Sequence, residues 1–112
     1  MMQVRVTRMG SATFLVPDGA LIESNLQPLK ESAHTAVHGG SSKLVVDLRR
    51  VPLLDSRGLE FLLDLASELR QSGGGLRIAN ANPLCRDILA ITRVDQAVPS
   101  FDNLESAAES FL

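Results

Sequence analysis

Asp55-Ser56-Arg57-Gly58 holds the residue types best placed to do chemistry in this chain. A hydroxyl stands beside a carboxylate where an apolar run, Leu44-Val45-Val46-Asp47-Leu48, and a short loop give way to an amphipathic helix expected from near Leu59. The first N–H groups of a helix have no partners inside it, and the aligned peptide dipoles leave partial positive charge there. A phosphate carried on Ser56 would meet those groups. The same residues also suit a simpler task. Ser and Asp are among the commonest helix caps, so Asp55 or Ser56 can serve the helix start alone.

Other candidate chemistries are thinner. His34 and His38 have the i, i+4 spacing of a metal pair, but no third ligand stands nearby and no His-Glu-x-x-His pattern occurs. Solvated helix residues are the expectation, with no metal. A hydrolase built on Ser56 would lack the Gly-x-Ser-x-Gly elbow, and Asp55, adjacent in sequence, is no natural third member of a triad. Gly73-Gly74-Gly75 follows a helix and precedes a strand, the reverse of a phosphate-cradling loop, and reads as a helix end and turn. Cys85 lies beside Leu84, Ile88 and Leu89 and reads as a small buried apolar residue. No catalytic residue and no cofactor site emerge, and an enzyme is not expected.

The elements that must position Ser56 follow from periodicity. Val4 and Val6, then Ala12, Phe14 and Val16, alternate with polar residues on either side of Gly10-Ser11, which predicts two strands joined by a tight turn. Pro17-Asp18-Gly19 breaks that pattern. From about Ser24, residues Leu26, Leu29, Ala33 and Val37 recur at helical spacing, with Ser24 or Asn25 as cap and Gly39-Gly40 as stop. Residues 44–48 predict a buried strand. The helix after Ser56 should run to about Gln71, with Leu59, Leu62, Leu63, Ala66 and Leu69 facing the core. Phe61 falls well round the other side, as a docking residue or a stray surface apolar. A wider buried stripe would instead take in Leu65. Leu76-Arg77-Ile78-Ala79-Asn80 predicts another strand, and Asn82-Pro83 starts a third helix running to about Thr92. A short strand over residues 98–101 and a last helix capped by Asp102 complete the chain. Strands alternating with helices require crossovers, so the later strands should be parallel and the first two antiparallel. The expected fold class is therefore α/β: one domain spanning residues 1–112, with a mixed sheet covered by about four helices.

Composition narrows the function classes. The 112 residues carry a net charge of −2 with no basic block, which argues against a nucleic-acid surface. There is no Trp or Tyr and only four Phe, so base-stacking platforms are poorly supplied. The single cysteine excludes an internal disulfide and fits a reducing compartment. The stretch Met1-Met2-Gln3-Val4-Arg5-Val6-Thr7-Arg8 lacks the long apolar core of a signal peptide, and no apolar run approaches bilayer-spanning length. A soluble cytoplasmic protein without membrane insertion is expected.

The assembled pattern resembles the STAS domain, and within it the bacterial anti-sigma factor antagonists. The likeness covers nearly the whole chain. Its strongest parts are Leu44-Val45-Val46-Asp47-Leu48, then Val51-Pro52-Leu53-Leu54-Asp55-Ser56-Arg57-Gly58-Leu59, then Gly75-Leu76-Arg77-Ile78-Ala79-Asn80. It continues through Leu89-Ala90-Ile91-Thr92-Arg93-Val94-Asp95 and Val98-Pro99-Ser100-Phe101-Asp102. The apolar-Asp-Ser-x-Gly-Leu corner is its most specific element. The resemblance implies that Ser56 is the site of regulatory phosphorylation. Unmodified, such a protein would bind an anti-sigma factor that is also a serine kinase and so free the sigma factor. Phosphorylation would break the complex and a PP2C-type phosphatase would restore it. ATP would belong to the kinase. The implied contact surface comprises Asp55, Ser56, Arg57, Gly58 and Phe61 with Gly19, Ile22 and Glu23. A weak homodimer is a further partner expectation. Two departures fall on that surface. Arg57 stands where many antagonists carry a small hydroxyl residue. In Gly19-Ala20-Leu21-Ile22, Ile22 occupies a position where Asp is frequent, with Glu23 one residue later. The alternative is a non-switching STAS subunit that uses the same helix face to hold another complex, such as a transporter ATPase.

Overall fold

The first strand alternates Val4 and Val6 with polar residues, whereas the second carries the run Phe14-Leu15-Val16, with Leu15 and Phe14 buried on opposite faces of the sheet. β1 (Gln3–Met9) and β2 (Ala12–Asp18) pair antiparallel, with Met9 opposite Ala12 across the Gly10-Ser11 turn. The structure, a computed structural model, describes residues 2–112. Met1, the first residue of the stretch read for a signal peptide, lies outside the described residues.

Three more strands extend the sheet in chain order: β3 (Lys43–Asp47), β4 (Gly75–Ala79) and β5 (Ser100–Phe101), each parallel to the one before it. Crossovers between parallel neighbours are right-handed, so a sheet that always grows in one direction receives its connecting helices on one face. Those helices are α1 (Gln27–His38), α2 (Ser56–Gln71) and α3 (Pro83–Ile91), followed by the single turn α4 (Val94–Ala97). Leu15, Leu44, Val46, Leu76 and Ile78 point into the resulting main core. The alternate residues Phe14, Val45 and Ala79 point the other way and are covered by α5 (Leu104–Glu109) through Ala107. A strand buried on both faces needs a near-continuous apolar run, which is why Leu44, Val45, Val46 and Leu48 show no alternation. Asp47, the one polar residue among them, is buried with its Oδ1 accepting from Arg49 N–H and Asn80 Nδ2.

Several boundaries differ from expectation. α2 starts at Ser56, not near Leu59, because Asp55 caps it and the helix is already wound at the next residue. α1 starts at Gln27. Ser24 and Asn25 fall in a separate 3-10 turn, Glu23–Asn25, and Asn25 spends its amide on the Ala20 carbonyl at 3.0 Å. Leu26 takes the cap position with no side-chain bond, and Pro28 occupies the first turn, where a missing N–H costs nothing. Asn103, not Asp102, caps α5 by accepting from Ser106 N–H at 2.7 Å. Among the described residues there are five α-helices where about four were expected; α4 is too short to leave a period in the sequence. On α2 the buried arc comprises Leu62, Leu65, Ala66 and Leu69, while Leu63 is exposed and Leu59 half-buried. α2 packs on α1 as well as on the sheet. This contact rotates the arc toward Leu65 and away from Leu63.

The loop from β3 to the Ser56 corner is anchored from the far side by Asn82. Its Oδ1 accepts from Cys85 N–H at 2.7 Å, capping α3, while its Nδ2 donates to the carbonyls of Val51 at 3.2 Å and Pro52 at 3.3 Å. We predict that Asn82→Ala lowers stability by about 1–2 kcal/mol, the scale of a lost cap with its accompanying bonds. Urea denaturation checks this: the midpoint should fall with the slope unchanged. An unmoved midpoint would show that the anchor carries no weight.

Candidate functional site

Two segments distant in sequence make one corner. Leu21 forms a parallel bridge with Leu54, its N–H donating to the Leu53 carbonyl at 3.1 Å and its carbonyl accepting from Asp55 N–H at 3.1 Å. Below it, Gly19 donates to the Arg50 carbonyl at 3.1 Å with φ +142°, a conformation that favours glycine. Gly58 lies directly against the Leu21 carbonyl, and a Cβ there would overlap that oxygen. The loop carrying Gly19, Ile22 and Glu23 is therefore seated on the first turn of α2.

Asp55 joins the two segments electrostatically. Its Oδ1 accepts from Gly58 N–H at 2.9 Å, which is the helix cap, and its Oδ2 accepts from Glu23 N–H at 3.0 Å. These bonds, the Gly58 one first, hold the Asp55 carboxyl below the ordinary carboxylate value. Ser56 follows as the exposed first residue of α2. Arg57 is shared between two carboxylates: its Nη1 donates to Glu60 Oε1 at 3.2 Å, and its Nε lies 3.9 Å from Glu23 Oε1. One turn on, Phe61 is half-buried against the main core. It lines a groove of about 380 Å³ between α1 and α2, with Leu26, Val37 and Leu65.

The structure thus gathers the sequence-predicted residues at one end of the α1–α2 face. Glu23, Ser56 and Arg57 are exposed; Gly19, Ile22, Asp55 and Phe61 are half-buried. Gly58 is buried and presents no surface of its own; its part is to let Leu21 approach. Phe61 is less free than its helical angle suggested, because the neighbouring α1 supplies a wall for it. Sequence reasoning missed the groove and the Glu23–Arg57–Glu60 cluster. The Arg57/Glu60 spacing of three was a visible signal; the link to Glu23 spans the loop and had none.

Of the remaining candidates, His34 borders the groove from α1 and Cys85 lies away from the corner in α3. His34 and His38 stack on the exposed side of α1, with 3.9 Å between ring centroids, and His38 Nδ1 donates to the His34 carbonyl. Among the described residues, no group of three or more His, Cys, Asp or Glu side chains is placed to hold a metal ion. Cys85 is buried, its Sγ donating to the Val51 carbonyl, and burial pushes its thiol pKa up. Among the described residues, no helix is long and apolar enough to cross a membrane.

A sequence profile described as the STAS domain matches residues 3–107. The chain belongs to the STAS domain family. BtrV of Bordetella bronchiseptica, named as a candidate anti-sigma factor antagonist, is 29% identical to this STAS chain over 93 residues, covering 83% of it and 80% of BtrV. An anti-sigma factor antagonist from Mycobacterium paratuberculosis has the same fold, with a TM-score of 0.88 at 21% identity over 99% of this chain and 94% of that one. SpoIIAA of Bacillus, an anti-sigma factor antagonist, is similar in its unphosphorylated form, with a TM-score of 0.79 at 16% identity over 96% of this chain and 95% of that one. Its phosphorylated form gives 0.72 at 16% identity over 96% and 98%.

The lowered pKa of Asp55 has a direct consequence for the stability of this STAS corner. A carboxyl whose folded-state pKa is depressed stabilises the fold above its ordinary value of 3.8, and the contribution disappears as pH falls through the lower folded value. Asp55→Ala should therefore lower the melting temperature by a few degrees at pH 7, with the gap to the parent narrowing as the pH is taken below 3.8. Thermal melts of both proteins across that range test it. A gap of constant size at every pH would show that the charge of Asp55 is not what holds the corner.

Proposed function

We propose that this STAS chain is an anti-sigma factor antagonist that works by partner switching, with residues 1–112 acting as one domain. Unmodified, it binds an anti-sigma factor that is also a serine kinase and thereby regulates sigma-factor-dependent transcription. Phosphorylation of Ser56 releases it, and a PP2C-type phosphatase resets it. The contact surface is Asp55, Ser56, Arg57 and Phe61 with Gly19, Ile22 and Glu23, and Gly58 supports it from beneath. The kinase brings the ATP.

The observation that carries the reading is the exposure of Ser56 at the start of a capped helix, with the Glu23 loop bonded to the same corner. The names of the relatives support it, as does the existence of SpoIIAA in both phosphorylated and unphosphorylated forms. The physics of release is straightforward. A phosphate adds about −1.5 to −2 charge at pH 7, and a packed interface would have to strip its water or meet it with cations. Glu23, Asp55 and Glu60 already make the corner acidic.

Titration calorimetry against an anti-sigma factor serine kinase from the same cells tests the proposal. Ser56→Ala should bind as the parent does, and Ser56→Asp should lose at least tenfold in affinity, about 1.4 kcal/mol. Equal affinities for the two variants would sink the switch.

A further inference from the structure

Arg57 is the cation placed directly after Ser56 on the first turn of α2. Its guanidinium is divided between Glu60 and Glu23. The side chains of Arg57, Glu60 and Glu23 are 55%, 60% and 75% exposed. Ion pairs that open to water hold their members weakly. The guanidinium is thus kept within one residue of Ser56 and can be drawn away at little cost.

The helix start offers a phosphate only its first two N–H groups, those of Ser56 and Arg57. The Gly58 N–H is already taken by Asp55 Oδ1, and the Leu59 N–H by the Asp55 carbonyl at 3.0 Å. The Glu23 N–H is taken by Asp55 Oδ2. A phosphate on Ser56 would also stand beside three carboxylates, Glu23, Asp55 and Glu60, with Arg57 as the cation adjacent to it and Lys30 of α1 lining the α1–α2 groove with Asp64 and Glu68. Planar guanidinium groups bind phosphate through paired N–H bonds, more strongly than they bind a single exposed carboxylate oxygen.

Resting on the reading of Ser56 as the modified residue, we infer that Arg57 is its built-in counter-ion: it leaves Glu60 and Glu23 to pair with the phosphate. The exchange spreads the switch beyond one side chain. Glu23 and Glu60 lose their shared cation when the phosphate arrives, so a partner meets a wider acidic patch than the phosphate itself. The loop bearing Glu23 stays seated, since its backbone bond to Asp55 does not involve Arg57.

Phosphoserine placed at position 56 during translation by a suppressor tRNA allows a test that needs no kinase and no partner. The probe is the phosphorus NMR shift, which titrates with the second ionisation of the phosphate near pH 6. Arg57→Gln should raise the midpoint by several tenths of a pH unit, because the dianion loses its counter-ion. Glu60→Gln should lower it, because Arg57 is freed. In the double variant the Glu60 effect should diminish, since it acts in part through Arg57. An unmoved midpoint in Arg57→Gln overturns the inference. So does a Glu60 effect of equal size with and without Arg57, which would mean that Glu60 acts on the phosphate directly. Both variants replace exposed side chains, so folding is not at stake. Whether the cell modifies Ser56 is read separately, by mass spectrometry of the native protein, so the two readings can fail independently.

Discussion

The approach of the Leu21 carbonyl to the backbone of Gly58 is the constraint on which the functional end of this protein depends. An unsubstituted Cα at the first turn of α2 lets the loop after β2 lie down on the helix start. Once there, Leu21 bridges to Leu54 and receives the Asp55 N–H, and the Asp55 carboxylate can reach both its own helix and Glu23. Glu23, the exposed residue that the loop contributes to the proposed contact surface, takes its position from this seating. A methyl group at position 58 would force the two segments apart and separate Glu23 from Arg57.

The corner is rigid in its backbone and loose in its charges. Asp55 is doubly bonded to backbone N–H groups, whereas Arg57 sits in two open ion pairs. That division suits a site whose charge changes. The framework has few free donors to rearrange, and the exposed guanidinium can follow the charge. Phe61 sits between the two regimes, packed on the core from one side and bordering the groove on the other.

Much of this was legible in the sequence. The Gly10-Ser11 turn between two apolar-bearing segments, the valine-rich stretch at residues 44–48, and Asn82-Pro83 each specify an element through local chemistry, and each element is where that chemistry puts it. The misplacements share a cause. Ser24 and Asn25 have good capping side chains, but the chain there must first complete the Leu21 bridge, so Asn25 bonds back to Ala20 and the helix waits until Gln27. Leu63 and Leu65 exchange roles because a second helix, invisible to single-helix periodicity, sets which side of α2 is buried. Asp102 yields to Asn103 by one residue, within the ordinary uncertainty of helix ends. The Asp-Ser corner was readable because its partners are three residues away; the Glu23 contact was not, because its partner is 32 residues away.

The strand order β1-β2-β3-β4-β5 has a consequence for how the molecule is made. Each strand pairs with the one synthesised just before it, and none has to be threaded between two strands already joined. A ribosome can therefore deliver this sheet in order, with each crossover helix closing over its own strands as it emerges. The opposite face has no such protection. Phe14, Val45 and Ala79 stay uncovered until α5 is released, so the nascent chain carries an apolar sheet face throughout most of its synthesis. The interval between finishing β4 and docking α5 is when the chain is most exposed to chaperones and to misassociation.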